Sequence, residues 1–198
     1  MKIFDRIADL QKFLNSCRKD NLKISLVPTM GGLHAGHISL IDRAQELSNI
    51  VVVSIFVNPT QFAETEDFES YPKTYSKDKV FLELKKVDVL FIPKSFEIYP
   101  EGFLTDYDSG ELGRVLCGIS RPSHFDGVAQ VVNRLFNIIN PDFSVFGEKD
   151  YQQLLIIKAL IVNKDLDVII EAVSTIREKD GLAMSTRNQY LSKNERAN

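Results

Sequence analysis

Residues 24–47 constrain the fold more than any other part of the chain, because an apolar run, a glycine-rich turn and a helical pattern follow one another without a gap. Residues 24–27 are predicted to form a short buried strand that Pro28 ends. A helical pattern follows, carried by Ile38, Ile41, Ala44 and Leu47. The chain must therefore pass from strand to helix within one turn, and that turn holds Gly31, Gly32 and Gly36.

A strand-to-helix turn of this kind is suited to binding an anion. The first amide N–H groups of a helix have no partner within it, and the positive end of the helix dipole favours negative charge. His34 and His37 lie three residues apart, so both would lie on one face beside a phosphate. The other interpretation is that these histidines cap the helix or pack in the core.

A metal site is not predicted. A closed zinc site needs about four ligands. Beyond the histidine pair, the chain offers His124 and two cysteines, Cys17 and Cys117, without ligand-like spacing.

The composition indicates a globular protein with one main domain. With 198 residues and 44% hydrophobic content, the chain can bury one good core and part of a second. The formal net charge of −3 offers no general attraction to nucleic acid or to an anionic membrane. No stretch of about 18 apolar residues occurs and the N-terminus lacks a secretory pattern, so we expect a cytoplasmic protein without a membrane partner.

Apolar runs alternate with helical patterns along most of the chain. Helices are predicted at residues 5–19, 80–86, 127–140 and 151–162, and further strands at residues 50–57, 87–93, 143–146 and 168–170. This alternation predicts an α/β fold, a Rossmann-like parallel sheet with helices on both faces. Two long connections break the pattern, an acidic one at residues 63–76 and another at residues 94–126. We assign residues 1–173 to the sheet domain and residues 174–198 to the start of a small C-terminal domain.

Polar and glycine-rich segments follow four of the predicted strands, at residues 28–37, 58–62, 147–153 and 176–188. In open α/β sheets the ligand lies at the carboxyl ends of the strands, so these segments are expected to meet in one cleft. Two of them carry neutral amides suited to a polar, uncharged group such as a substrate hydroxyl, unless they are exposed; these are Gln61 and Gln153.

Other side chains in these segments suit a phosphate ligand. Lys149 could neutralise phosphate charge, and Asp150 at a helix start could cap the helix or reach a ribose or magnesium. Arg187 offers a fork of donors that matches phosphate oxygens, and Ser185 adds a hydroxyl. The plainer interpretations, a surface lysine with a capping aspartate and a solvated polar loop, stay open.

Five strings in the chain resemble motifs of the pantothenate synthetases, or pantoate–β-alanine ligases: PTMGGLHAGH, VVSIFVNPTQF, RPSHFDGVAQVV, FGEKDYQQL and DGLAMSTRNQYL. The HAGH part is similar to the HxGH signature of the wider nucleotidylyltransferase superfamily, and MSTRN is similar to its KMSKS counterpart. The NPTQF and GEKDYQQL strings are more specific to the ligases. The resemblance runs from about residue 24 to residue 191.

The resemblance implies an enzyme that condenses pantoate with β-alanine at the expense of ATP. The pantoate carboxylate would attack the α-phosphorus of ATP and give pantoyl adenylate and pyrophosphate. The β-alanine amine would then attack the acyl carbon and release AMP and pantothenate. Magnesium would accompany ATP, and the protein would be a homodimer.

The resemblance also implies roles for individual residues. His34, His37, Lys149, Ser185 and Arg187 would act on the phosphates, with His37 as the proton donor. Gln61 and Gln153 would hold pantoate. The residues that would line the nucleotide site are Met30, Gly31, Gly32, Leu33, His34, Ala35, Gly36, His37, Gly147, Glu148, Lys149, Asp150, Ile176, Met184, Ser185, Thr186 and Arg187.

Two features depart from the family pattern. Thr186 stands where many members have a second serine, which keeps a hydroxyl donor. Family members also continue into a C-terminal domain that covers the nucleotide, whereas this chain ends at Asn198, just after Ser192 and Glu195 form the pattern of a helix start. We therefore expect a chain cut within that domain, with an open cleft, weakly fixed residues 184–188 and little activity.

Two other functions stay open at this point. A related adenylyl- or cytidylyltransferase would share the histidine motif and the MSTRN string but not the paired glutamines. A chain that binds a nucleotide without catalysis, for instance a regulatory form, would need the phosphate site alone.

Overall fold

The computed structural model describes residues 1–63, 66–72, 74–102 and 107–197. Parts of the two long connections, residues 64, 65, 73 and 103–106, lie outside the described residues, as does Asn198. The strands are β1 (Lys2–Phe4), β2 (Ile24–Thr29), β3 (Ile50–Ile55), β4 (Val89–Phe91), β5 (Phe143–Gly147) and β6 (Ile169–Val173). The helices are α1 (Ile7–Lys19), α2 (Ala35–Leu47), α3 (Tyr75–Leu84), α4 (Ser95–Ile98), α5 (Cys117–Ser120), α6 (His124–Ile139), α7 (Tyr151–Lys164) and α8 (Lys193–Ala197).

These strands form one sheet, in the order β1-β4-β3-β2-β5-β6, and every neighbouring pair is parallel. The chain places β3 and β4 on one side of β2 before it places β5 and β6 on the other side. At such a change of direction the loops that follow neighbouring strands separate, which leaves a crevice at the carboxyl ends of β2 and β5. The predicted parallel α/β sheet is confirmed.

Helices cover both faces of the sheet, as predicted. On one face α1, α6 and α7 pack over Leu26, and on the other face α2 and α3 pack over Val27. Successive side chains of a strand point to opposite faces, so a strand covered on both sides is apolar throughout. This explains the nearly unbroken apolar run that forms β3. Among the described helices, none combines the length and the apolar character that crossing a bilayer requires.

Pro28 does not end the first predicted strand. β2 continues through Pro28 to Thr29, and Pro28 lies opposite Ser54 of β3. The Thr29 hydroxyl donates to the Ser54 carbonyl oxygen at 2.8 Å, so the strands stay linked beside the residue that has no N–H. The strand β1 was not predicted either, because three residues at a sheet edge are too few to show a pattern.

The helix predicted to begin after Ser192 is present as α8. The Ser192 N–H donates to the Glu195 carboxylate at 2.8 Å, and the Glu195 N–H donates to the Ser192 hydroxyl at 3.3 Å. This reciprocal pair is a capping box. Arg196 of α8 lies 2.6 Å from Glu178 and 2.7 Å from Asp180, so the helix is attached to the loop after β6.

The turn between β2 and α2 is held by two distant parts of the chain. Gly31 and Gly32 have φ values of 86° and 66°, which favour glycine. The Asp78 carboxylate of α3 accepts from the Gly32 N–H at 3.0 Å and from the Leu33 N–H at 2.9 Å. The Thr186 hydroxyl donates to the Gly32 carbonyl oxygen at 3.1 Å. The turn therefore depends on α3 and on the loop after β6.

We expect Gly32→Ala to destabilise the protein more than Gly181→Ala. Both glycines have a positive φ, so both substitutions cost about 1–2 kcal/mol in the backbone. A Cβ at Gly32 would lie 2.3 Å from Cγ2 of Thr186, whereas a Cβ at Gly181 would meet no atom within 4 Å. Relieving that overlap costs about 1–3 kcal/mol more. Urea unfolding measures the free energy of unfolding of both variants. Equal losses would show that a Cβ at Gly32 does not clash with Thr186.

Candidate active site

A cavity of about 260 Å³ lies at the carboxyl ends of β2 and β5, where the strand order predicts a crevice. All four polar segments contribute to its wall, so their predicted convergence is confirmed. The candidate site residues that line the cavity are Met30, His34, Gly36, His37, Gln61, Gly147, Lys149, Asp150, Gln153, Ile176, Met184, Ser185, Thr186 and Arg187.

Five residues implied for the nucleotide site do not line this cavity: Gly31, Gly32, Leu33, Ala35 and Glu148. Ala35 and Glu148 are exposed, and Gly31 is buried against Asp78 and Ile55. Gly31 and Gly32 therefore shape the backbone of the turn rather than form the cavity wall, whereas Gly36 lines the cavity.

His34 and His37 cap the start of α2 and also line the cavity. Nδ1 of His34 accepts from the Gly36 N–H at 3.1 Å, and Nδ1 of His37 accepts from the His34 N–H at 3.2 Å. The two ring centroids are 4.1 Å apart. Because each Nδ1 is an acceptor, each neutral ring carries its proton on Nε2. The capping interpretation of this pair is therefore confirmed, and both residues also line the cavity.

The expectation that the amides of this turn are free to bind an anion is wrong. Five of its N–H groups already donate to side-chain acceptors, namely those of Gly31, Gly32, Leu33, His34 and Gly36. Amides that are shielded from water need such partners. Asp78, which is only 3% exposed, could not be predicted as their partner, because it lies 45 positions after Leu33 and no local pattern links the two.

Both histidines of the pair are uncharged at neutral pH. Burial, with smaller contributions from His34 and Lys149, lowers the pKa of His37 to about 3. Burial and then Lys149 also lower the pKa of His34, and Glu178 opposes them. The pair therefore offers neutral Nε2–H donors, and the positive charge at the cavity comes from lysine and arginine side chains.

Lys149 lies in the short turn between β5 and α7. Its Nζ is 3.3 Å from both carboxylate oxygens of Asp150. Asp150 occupies the N-cap position of α7 but makes no side-chain capping bond. Asp150 therefore pairs with Lys149 instead of capping α7, and both residues border the cavity.

Residues 184–188 are held against the rest of the site, contrary to the expectation of a weakly fixed loop. Thr186 bonds to Gly32, and Nδ2 of Asn188 donates to Glu178 at 2.8 Å. Arg187 forms an ion pair with Asp67 at 2.7 Å. These partners could not be predicted by local patterns, because Gly32 and Asp67 lie more than 100 positions before residues 184–188 in the sequence.

Asn58 sets the orientation of the Gln61 side chain. Nδ2 of Asn58 donates to Oε1 of Gln61 at 3.1 Å, and Nε2 of Gln61 lies 3.1 Å from Sδ of Met30. Asn58 is buried and also accepts from the Tyr99 hydroxyl at 2.8 Å. Gln61 therefore presents its N–H donors, rather than its oxygen, to the cavity. The adjacent wall is apolar and comes from α6: Val128, Val131, Val132 and Leu135.

Among the cavity residues that were not predicted as site residues, three have a titratable or cationic side chain: Tyr71, Arg121 and His124. Nδ1 of His124 donates to the Gln61 carbonyl oxygen at 2.7 Å, and its Nε2 accepts from Arg121 at 3.0 Å. Arg121 is also bound to Glu66, at 2.5 Å and 2.9 Å. All of these residues lie in or beside the two long connections, whose length was one signal in the sequence. Arg121 and His124 also belong to the RPSHFDGVAQVV string, which was a second signal.

The histidine pair makes stability depend on pH. The pKa of His37 is about 3 in the folded protein, against an ordinary value of 6.5, so the unfolded chain binds the proton first as the pH falls. This residue should lower the free energy of unfolding below pH 6.5 by up to about 1.4 kcal/mol per pH unit. The variant His37→Gln should therefore lose less stability between pH 7 and pH 4 than the wild type. Urea unfolding measures both slopes, and equal slopes would mean that His37 is charged in the folded protein.

Comparison with known proteins gives a consistent result. The model of the pantoate-beta-alanine ligase family matches residues 2–198. A pantothenate synthetase of Ruthia magnifica is 51% identical over 195 residues, which are 98% of this chain and 70% of that protein. A pantothenate synthetase of Aquifex aeolicus is 52% identical over 194 residues, which are 98% of this chain and 69% of that protein.

Solved structures of related proteins have the same fold as this chain. The crystal structure of pantothenate synthetase from Thermus thermophilus is similar with a TM-score of 0.93 and 43% identity, over 100% of this chain and 70% of that one. The pantoate-beta-alanine ligase from Francisella tularensis, complexed with beta-gamma ATP and β-alanine, has the same TM-score of 0.93 and 43% identity, over 98% of this chain and 74% of that one. By sequence along almost its whole length and by fold, this chain belongs to the pantoate–β-alanine ligase family, the pantothenate synthetases.

Proposed function

We propose that the protein joins pantoate to β-alanine in two steps at this cavity. In the first step the pantoate carboxylate attacks the α-phosphorus of ATP, which forms pantoyl adenylate and releases pyrophosphate. In the second step the β-alanine amine attacks the acyl carbon, which forms pantothenate and releases AMP. One observation carries the proposal: a single cavity brings cationic and neutral hydrogen-bond donors together with an oriented glutamine and an apolar wall.

The donors of the cavity suit the phosphates of ATP. The two histidines offer Nε2–H groups at the start of α2, and Lys149 and Arg187 supply positive charge from two other segments. Displacement at phosphorus needs aligned groups and charge stabilisation rather than a nucleophilic side chain. Because the pKa of His37 is so low, we assign it a hydrogen bond from Nε2 to a phosphate oxygen.

A magnesium ion would be bound together with the nucleotide. The described residues hold no group of three His, Cys, Asp or Glu side chains that could bind a metal by themselves. Asp150 borders the cavity and is the carboxylate that could contribute. Magnesium is commonly held by one or two carboxylates and the phosphates of the substrate, so this donor set fits, and the ion would offset phosphate charge.

The side of the cavity near α6 suits pantoate. Pantoate carries two hydroxyl groups and a carboxylate around a carbon with two methyl groups. The N–H donors of Gln61 match the oxygen atoms, and the valines of α6 match the methyl groups. Gln153, on the first turns of α7, also lines the cavity and is assigned to the same substrate.

Three expectations from the sequence stay predictions: a homodimer, a cytoplasmic location, and a domain division after residue 173. The chain covers about 70% of the relatives described above.

Isotope exchange between pyrophosphate and ATP tests the first step. We expect exchange that depends on pantoate and is much weaker with acids that lack its hydroxyl groups, because their absence would leave polar groups of the site unpaired. Exchange that another substrate supports equally would favour a different nucleotidyltransferase. Nucleotide binding without any exchange would indicate a binding module. Formation of pantothenate on addition of β-alanine tests the second step.

We expect His34→Ala, His37→Ala and Lys149→Ala each to slow adenylate formation by about 10²–10³-fold. A donor directed at charge that develops in the transition state contributes about 2.7–4 kcal/mol. Lys158→Ala is the control, because Lys158 is an exposed lysine on α7 outside the cavity. Single-turnover adenylation and melting temperature are measured together. Near-normal adenylation, or a large loss of stability with little change in rate, would contradict the assignment.

A further inference from the structure

The Asp67 carboxylate binds one edge of the Arg187 guanidinium. Nε of Arg187 donates to Oδ2 of Asp67 at 3.1 Å, and a terminal nitrogen donates to Oδ1 at 2.7 Å. The Tyr190 hydroxyl also donates to Oδ2, at 3.1 Å. The hydrogen bonds from Arg187 keep the pKa of Asp67 below its ordinary value, so the carboxylate is ionised at neutral pH.

The contact leaves the other edge of the guanidinium available. Arginine has five N–H donors in one plane, and Asp67 uses one on Nε and one on a terminal nitrogen. Arg187 lines the cavity, whereas Asp67 does not. The carboxylate therefore holds Arg187 from outside the cavity wall, and three N–H donors of the guanidinium are not used by Asp67.

The segment that carries Asp67 is itself anchored. The Arg187 guanidinium lies over the Tyr71 ring at 5.7 Å from its centroid, and that ring is 6% exposed. Phe62 packs against both Phe68 and Tyr71, at 5.4 Å and 5.9 Å between centroids. A long arginine side chain loses much rotational freedom when it is fixed, and here Asp67 and Tyr71 impose that loss before any ligand binds.

We propose that Asp67 is a positioning residue, which holds Arg187 so that its free edge meets the phosphates of the nucleotide. The proposal rests on the proposed function, because it needs Arg187 to bind phosphate. A positioning role for Asp67 differs from a simple competition, in which Asp67 and a phosphate would bind the same donors of Arg187. Competition would make the substitution of Asp67 improve nucleotide binding, whereas positioning makes it weaken binding.

The test is the variant Asp67→Asn, which keeps the shape of the side chain and removes its charge. We expect the KM for ATP to rise roughly 3- to 30-fold, which lies within the range of coupling between contacting residues, while the KM for pantoate stays unchanged. Calorimetric binding of ATP should weaken by a similar factor and needs no turnover. Asp67→Glu, which restores the charge, should recover part of the loss.

Two further variants complete the experiment. Asp108→Asn is the matched control, because Asp108 pairs with Arg114 at 3.0 Å on an exposed surface outside the cavity. In an Arg187→Ala background, Asp67→Asn should have no further effect on ATP binding, since a positioning residue acts only through its partner.

The outcomes separate the two hypotheses. Tighter ATP binding by Asp67→Asn, unchanged binding, or additive losses in the double variant would overturn the positioning role. An Arg187→Ala variant that binds ATP as the wild type does would instead overturn the assignment of Arg187 to the phosphates, and the proposal with it. Equal losses in the KM for ATP and for pantoate would indicate a general structural effect.

Discussion

The Asp78 carboxylate accepts three hydrogen bonds at the back of the active site, and the placement of the site residues depends on them. Two come from the amides of Gly32 and Leu33 and the third comes from the Thr74 hydroxyl. A buried carboxylate is tolerated when several donors surround it. By holding the glycine turn against α3, Asp78 sets where α2 begins and therefore where the histidine pair lies.

The site combines charged and neutral donors in a definite arrangement. Lys149 and Arg187 approach the cavity from different segments, and each is already paired with a neighbouring aspartate. The rings of His34 and His37 stay neutral because burial opposes charge. A chain with a net charge of −3 therefore still brings cationic side chains to the wall of its cavity.

The sequence predicted those features that local patterns encode. Alternating apolar and helical periods predicted the parallel sheet, and the position of polar segments after strands predicted the cavity. The partners of the site residues could not be predicted in this way, because Asp78 and Gly32 lie 46 positions apart and Asp67 and Arg187 lie 120 positions apart. The assumption of free amides failed for the same reason, since the acceptor that occupies two of them comes from another helix.

The cavity draws its wall from residues 28–187, and this sets a limit on how the chain can be divided. A boundary after residue 173 passes through the site rather than beside it. On the far side lie Thr186, which bonds to Gly32, and Arg187, which bonds to Asp67. The sheet alone therefore does not form the whole wall of the cavity. The sheet and the loop after β6 form the cavity together, and each needs the other to complete its wall.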